Sequence, residues 1–420
     1  MAIPPALSRK IFVQGAAAAS TLGFPAFIRA RGEAAETLTI GQIWDLTGIF
    51  GDVAENGRRG ATIALDWWNQ RGGPMGRRVV TVVEDDQNNP GVAVEKARKL
   101  VNQDRAAALL GTVSSAAALS ASSAASALGV LFMAGGHADS ISGKSCRWNT
   151  FQIPQTTWQL THATGFSFAK LLGKRWYLIT PDYAFGHSLA AGYQDVVGKV
   201  GGQIIENDLT PLGTSDFSPY LTKVQAKRPD CLVLLVQGAD WVNCIKQASA
   251  FGITEKIPIC GPFAELESIW ALPHNLRTGY WGTDWYYKGD LVLGAGNTLA
   301  ERFAKEHRQR YTIPPTAESC FGFIAMDRLL WAIDQAKSTD AVKLAKALEG
   351  ARFQSLWAGE SYFRPVNHAL VWPMWFGKLR PEGTPGDPYD VFEIIDRQPA
   401  SSTMVPDAAA SRVCHFAWPS

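Results

Sequence analysis

From Thr37 onward, short apolar runs alternate with longer stretches of helical period, and the links between them are brief. The apolar run 38–43 precedes the turn cluster Asp45-Leu46-Thr47-Gly48. A helix is predicted over 54–70, where Ala61, Ala64, Leu65 and Trp68 recur at helical spacing until Gly72-Gly73 stops the pattern. The next strand, 78–84, carries Val79, Val80, Val82 and Val83, a run too continuous for a half-exposed strand. Asn88-Asn89-Pro90 then opens a helix to about 104, because an amide side chain accepts from free helical N–H groups and proline at the first position gives up no hydrogen bond. The cycle repeats with strand 107–111, a small-residue helix over 115–128 and strand 129–134. A second series begins after Phe151, with strands at 175–180, 202–207, 230–236 and 257–261 and helices near 187–199, 217–226 and 241–251. Such alternation predicts an α/β fold of two doubly wound parallel-sheet lobes. Beyond them lie an extended aromatic segment at 278–287, three helices near 297–311, 316–337 and 340–349, and a β-rich tail at 362–364, 369–378 and 389–395.

Composition changes the picture at the N-terminus. The chain has 420 residues and 40 Lys plus Arg against 38 Asp plus Glu, a net charge of +2, with 46% hydrophobic and 19% charged residues. That balance excludes disorder and leaves no electrostatic footprint for nucleic acid. Arg9-Lys10 before an alanine-rich stretch ending at Ile28, then Arg29 and Arg31, has the layout of a secretory signal over 1–35, with Lys in place of the second arginine of a twin-arginine signal. Its removal leaves 36 basic against 37 acidic residues, a net charge of −1. A periplasmic location is therefore expected, and the six cysteines would meet an oxidising compartment, either as buried thiols or as one or two bridges.

No local motif supports catalysis. A Walker loop, a GxGxxG after a strand, HExxH and G-x-S-x-G are all missing, and the seven histidines lack metal-ligand spacing, so no catalytic residue, metal or cofactor is expected. What recurs instead is a polar, small-residue turn at the carboxyl end of each predicted strand, where open α/β sheets bind ligands. Ser114 and Ser115 end a strand and start a helix, so they are placed either to cap the helix or to hold a carboxylate. Gly135 and Gly136 form a turn or a close approach to a ligand, and His137 is a loop residue or a donor. The turns holding Phe185, Gln237 and Phe263 take equivalent places in the second series. Trp44, Phe50, Glu265 and Trp285 are further candidates, although clustered aromatic residues such as Trp285 commonly belong to a core.

In order along the chain, GQIWDLTGIFGDVAENGRRGATIALDWWNQRGG, VVEDDQNNPGVAVEKARKLVNQD, GTVSSAAALS, KRWYLITPDYAFGHSLAAGY, RPDCLVLLVQGADWVNCIKQASAFGI and YFRPVNHALVWPMWFGKL resemble the successive motifs of the periplasmic solute-binding proteins of the Leu/Ile/Val-binding type. The resemblance implies a type I periplasmic binding protein fold with a three-segment hinge, lobe 1 at 37–155 and 285–355 and lobe 2 at 156–284 and 356–420. It implies a monomeric, non-enzymatic substrate-binding component of an ABC importer, whose partners are a small solute and the membrane permease subunits. By position, Ser114 or Ser115 would bind a ligand carboxylate. Gly135 and His137 would match turn positions gripping carboxylate and amino groups, and Phe185 and Gln237 would match tyrosine contacts. Phe263 stands where amino-acid binders commonly place the glutamate that neutralises the ligand's ammonium, with Glu265 two residues on as a substitute. These departures predict an aromatic wall with fewer anionic groups, suited to an aromatic or other non-α-amino carboxylate or to an amide. Branched-chain amino acid binding proper, a ligand sensor on the same fold and an exported hydrolase are the competing readings.

Overall fold

The computed structural model describes residues 37–292 and 296–419; the export signal expected at 1–35 lies outside them. Eight elements open the fold: β1 (Leu38–Trp44), α1 (Gly51–Gln70), β2 (Val79–Asp85), α2 (Pro90–Asn102), β3 (Ala108–Gly111), α3 (Ser115–Ala127), β4 (Leu131–Ala134) and β5 (Thr150–Gln152). Their strands pair in the order β2-β1-β3-β4-β5, all parallel. The start of α2 follows the expected chemistry, with the Asn89 side chain accepting from the amides of Gly91 and Val92 and Pro90 in the first turn. The valine run of β2 is not fully buried, however, because β2 is the edge strand of its sheet and Val80 is 36% exposed.

The second lobe contains α4 (Thr157–Leu171), β6 (Arg175–Pro181), α5 (Ala184–Lys199), β7 (Gln203–Thr210), α6 (Ser218–Lys227), β8 (Cys231–Leu234), α7 (Gly238–Ala250), β9 (Ile259–Gly261), α8 (Leu266–Trp270) and β10 (Tyr280–Thr283). The pattern of apolar positions gave no sign of α4, which starts at a Thr156 cap accepting from the Gln159 amide. Three helices then return to the first lobe: α9 (Thr298–Tyr311), α10 (Ala317–Ala336) and α11 (Ala341–Leu348). Helix α10 lies against α1 at backbone distance, since a Cβ on Gly60 would stand 1.8 Å from the Ser319 carbonyl and one on Gly322 1.9 Å from that of Gly57. After a short hairpin of β11 (Phe353–Gln354) and β12 (Glu360–Ser361), strands β13 (Met374–Leu379) and β14 (Phe392–Gln398) join the second sheet.

That sheet runs β7-β6-β8-β9-β10-β13-β14, parallel as far as β10 and antiparallel beyond it. The chain therefore passes between the two sheets three times, after β5, after β10 and before β13. The tail carries α12 (Ala400–Thr403), packed on α4, and α13 (Asp407–Ala410), after which Cys414 is disulfide-bonded to Cys146 with a Cα–Cα distance of 5.6 Å. The other four cysteines, Cys231, Cys244, Cys260 and Cys320, are buried free thiols. No described helix is long and apolar enough to cross a membrane.

Candidate ligand-binding cleft

Parallel sheets leave a crevice where the strand order reverses. In the first sheet the reversal lies between β1 and β3, and in the second between β6 and β8. The turns after these strands face each other and enclose a cleft of about 590 Å³ of non-atom space, part of it open to solvent. The lobes touch: the Asn56 side-chain amide donates to Glu267 Oε1 of the cleft wall at 3.3 Å, and Ser188 Oγ, outside the cleft lining, donates to Asp139 Oδ2 at 3.1 Å.

On the first-lobe side Ser115 Oγ accepts from the amides of His137 and Ala138 at 3.2 and 3.1 Å, which leaves its own proton to donate elsewhere. His137 is buried, and its Nδ1 lies 2.8 Å from the Gln155 carbonyl. A carbonyl only accepts, so Nδ1 holds the proton and Nε2 is left as an acceptor. Burial lowers the His137 pKa to about 4, and the ring is neutral at physiological pH. Gln155 holds this arrangement to the second lobe, its own Nε2 donating to the carbonyls of Asp284 and Pro373 at 2.9 and 3.0 Å.

The aromatic lining of the cleft comes from both lobes. The Phe263 ring stacks on His137 at 5.1 Å between centroids, Phe185 lies tilted at 6.0 Å, and Phe321 meets the same imidazole edge-on at 5.9 Å. Phe50 and Tyr183 complete it. Gln237 precedes α7, with its Nε2 on the Phe263 carbonyl at 3.5 Å and its Oε1 buried without a partner. The adjoining Gly238 has φ of 57°, and a Cβ there would stand 2.7 Å from the Ile49 carbonyl across the cleft.

Among the expected residues, Ser115, His137, Phe185, Gln237, Phe263, Phe50 and Glu265 line the cleft, whereas Ser114, Gly135, Trp44 and Trp285 do not. Ser114 is the residue before α3 and its buried hydroxyl has no partner. Gly135 serves strand apposition, since a Cβ on it would lie 2.0 Å from the Thr112 carbonyl. Trp44 donates to Gln42 Oε1 at 2.8 Å, and Trp285 donates to the Leu356 carbonyl at 2.7 Å within the core.

The expectation of fewer anionic groups is corrected by the far end of the cleft. Glu265 and Glu267 flank the start of α8, Asp284 follows β10, and Glu318 lies in the first turn of α10; all four carboxyls line the cavity, and no lysine or arginine does. Asp284 Oδ1 and Glu318 Oε1 are buried without a hydrogen-bond partner. Glu267 Oε1 accepts from Thr316 Oγ1 at 3.2 Å as well as from Asn56, and Glu265 Oε2 from the Gly238 amide at 3.4 Å. Burial is the largest cause of their raised pKa values, which reach about 7 for Glu265 and, with the charge of Glu265 adding, about 8 for Glu267. Burial and neighbouring carboxylates hold Asp284 and Glu318 well above the usual carboxylate range. Rules for strand-end turns would have found Asp284; Glu267 and Glu318 sit inside helical first turns, where an acidic residue reads as ordinary helix chemistry.

Residues 37–384 match the family described as periplasmic binding protein. Leu/Ile/Val-binding protein homolog 7 of Brucella suis biovar 1 (strain 1330) is 22% identical over 351 residues, 80% of this chain and 86% of the relative. A crystal structure of an amino acid ABC transporter substrate-binding protein from Pseudomonas fluorescens Pf-5 is 28% identical, with a TM-score of 0.81, and the likeness covers 90% of this chain and 99% of that one. A solute-binding protein of an R. palustris ABC transporter, solved in complex with benzoate, shares the fold at 22% identity and a TM-score of 0.75 over 90% of this chain and 99% of the other.

Proposed function

The chain belongs to the periplasmic binding protein family, a family of solute-binding proteins rather than enzymes, and from that premise we propose that it is the substrate-binding component of an ABC importer, with a cleft made for a solute rich in N–H donors. The observation that carries the solute class is the carboxyl quartet Glu265, Glu267, Asp284 and Glu318, which lines one cavity with no basic residue to neutralise it. Unpaired buried carboxylates cost several kcal/mol each and mutual repulsion adds to that cost. An ammonium, amidinium or amide head supplies the missing donors, and His137 Nε2 and Gln237 Oε1 extend the acceptor-rich surface. The rings of Phe185, Phe263 and Phe321 take the apolar or aromatic body of the solute, and the Ser115 hydroxyl suits an acceptor on it.

Capture proceeds by hinge closure. The solute binds the first lobe, the second folds over it, and the ligand stabilises the closed form because only there do both walls touch it. The contacts of Asn56 with Glu267 and of Gly238 with Ile49 support this reading, since both need the lobes together. Export to the periplasm by the 1–35 segment and delivery to permease subunits complete the proposal. Lobe boundaries at 37–155 with 285–355 and at 156–284 with 356–420 are part of it.

A second reading, an aromatic carboxylate held at Ser115 and stacked on the phenylalanines, is favoured by the aromatic wall and by a fold that accommodates benzoate in R. palustris. Thermal-shift screening of the purified protein against amines, amides, amino acids and aromatic acids separates the two. Stabilisation by solutes bearing a cationic or amide nitrogen is expected, and stabilisation by aromatic carboxylates alone would refute the proposed class.

A further inference from the structure

Outside the cleft, a second carboxylate cluster stands at the carboxyl ends of the first two strands. Trp44 at the end of β1 is in register with Asp85 at the end of β2, and the Asp86 amide donates to the Trp44 carbonyl at 2.9 Å. This pairing brings Asp45, Asp85 and Asp86 together, with one carboxylate oxygen from each lying within 4.8 Å of the others. Asp45 and Asp86 are both 0% exposed. Asp85 is hydrogen-bonded, its Oδ1 accepting from the amides of Leu46 and Gln87 at 3.0 and 2.9 Å and its Oδ2 from Thr47 Oγ1 at 2.5 Å. Asp86 Oδ1 accepts from the Asn88 amide at 2.9 Å.

The remaining oxygens make the case. Asp86 Oδ2 and both oxygens of Asp45 are fully buried and make no hydrogen bond of normal geometry, although the backbone amides of Gly48 and Phe50 act on the Asp45 carboxylate and offset part of the effect of its burial. None of the ion pairs among the described residues involves any of the three aspartates. A buried carboxylate without a donor or a cation is strongly disfavoured, so this set of oxygens calls for a positive partner.

We propose that Asp45, Asp85 and Asp86 form a binding site for a divalent cation of the hard, oxygen-preferring class, with Ca²⁺ preferred over Mg²⁺. The donor set is all oxygen, as both ions require. Mg²⁺ keeps several waters in a rigid octahedron, and two fully buried aspartates leave little room for them, whereas Ca²⁺ accepts irregular and bidentate carboxylates. The ion would pin the loop from Leu46 to Phe50, whose Phe50 ring lines the cleft and whose Ile49 carbonyl faces Gly238, so it would act on the first-lobe wall without touching the solute.

Isothermal titration of the chelator-treated protein with CaCl₂, and separately with MgCl₂, tests the site. One Ca²⁺ per chain is expected at a Kd of about 1 mM or tighter, with Mg²⁺ weaker. Asp45→Asn and Asp86→Asn should each weaken Ca²⁺ by at least about tenfold. In EDTA both variants should melt at or above the wild-type temperature, because each removes a repelling charge; this shows that lost binding is not lost folding. Absence of Ca²⁺ binding by the wild type, or unchanged binding in both variants, overturns the proposal. Mg²⁺ binding tighter than Ca²⁺ overturns the stated preference.

Discussion

Raising the pH of the ligand-free protein from 6.5 to 8.5 should lower its stability, and Glu267 is the residue at which the effect can be isolated. Its carboxyl is raised from an ordinary 4.5 to about 8 in the fold, so the folded state binds more protons than the unfolded one throughout that interval. A group of this kind stabilises the fold at low pH and loses that contribution as the pH rises through its folded value. At about 1.4 kcal/mol per pH unit, Glu267 alone accounts for about 2 kcal/mol between pH 6.5 and 8. For a chain of this length that is a melting shift of roughly 2 to 3 °C. The window matters: below pH 6.5 the buried His137 and His307, both lowered to about 4, act in the opposite direction, because they must be neutral to stay buried. Glu265 and Asp86, each raised to about 7, titrate in the same direction as Glu267 and remain in a Glu267→Gln variant. The assay is therefore the difference in melting temperature between wild type and Glu267→Gln, followed from pH 6.5 to 8.5. The variant should gain on the wild type as pH rises; parallel curves would mean that the cluster is not electrostatically frustrated and the reasoning fails.

Three further outcomes are expected. Ser115→Ala strands the amides of His137 and Ala138, costing about 1–3 kcal/mol in denaturant melts, and should weaken any carbonyl- or carboxylate-bearing ligand at least about tenfold in calorimetry; Ser114→Ala, away from the cleft, should leave affinity unchanged. Gly238→Ala introduces a Cβ 2.7 Å from the Ile49 carbonyl at a left-handed φ of 57°, so small-angle scattering should show a more open particle and ligand affinity should drop; an unchanged scattering curve and affinity would separate Gly238 from closure. Breaking the bridge with Cys146→Ser plus Cys414→Ser frees a crosslink spanning 268 residues, worth at most about 6 kcal/mol by chain entropy, and should lower the melting temperature; no change would show that the tail is held by packing alone.

Periodicity made most of the fold legible, and the reasons are local. The Asn89–Pro90 start of α2 and the Gly72-Gly73 end after α1 are written in residues next to each other, so no tertiary information is needed to read them. Helix α4 is hidden from periodicity by its threonine-rich face, with Thr157, Thr161 and Thr164 all buried: the hydroxyls of Thr161 and Thr164 are satisfied by helical carbonyls one turn back, and that of Thr157 by Ser188 Oγ and the Asp139 amide. The edge position of β2 was illegible because neighbours in the sheet, not the strand's own residues, decide its exposure. In the cleft the same limit applies. Ser115, His137 and Phe263 stand at strand ends and were found there, whereas the carboxyl quartet joins α8, β10 and α10 from both lobes, a meeting that no spacing along the chain encodes.

The central claim, that the carboxyl quartet receives the nitrogen-bearing head of the solute, is tested most directly by a crystal structure of the protein with the best solute from the thermal-shift screen. The account predicts a ligand nitrogen within hydrogen-bond distance of at least two of Glu265, Glu267, Asp284 and Glu318, with the ligand body against Phe185 and Phe263. A ligand carboxylate seated among those four residues, or a solute bound outside the cleft, would contradict it.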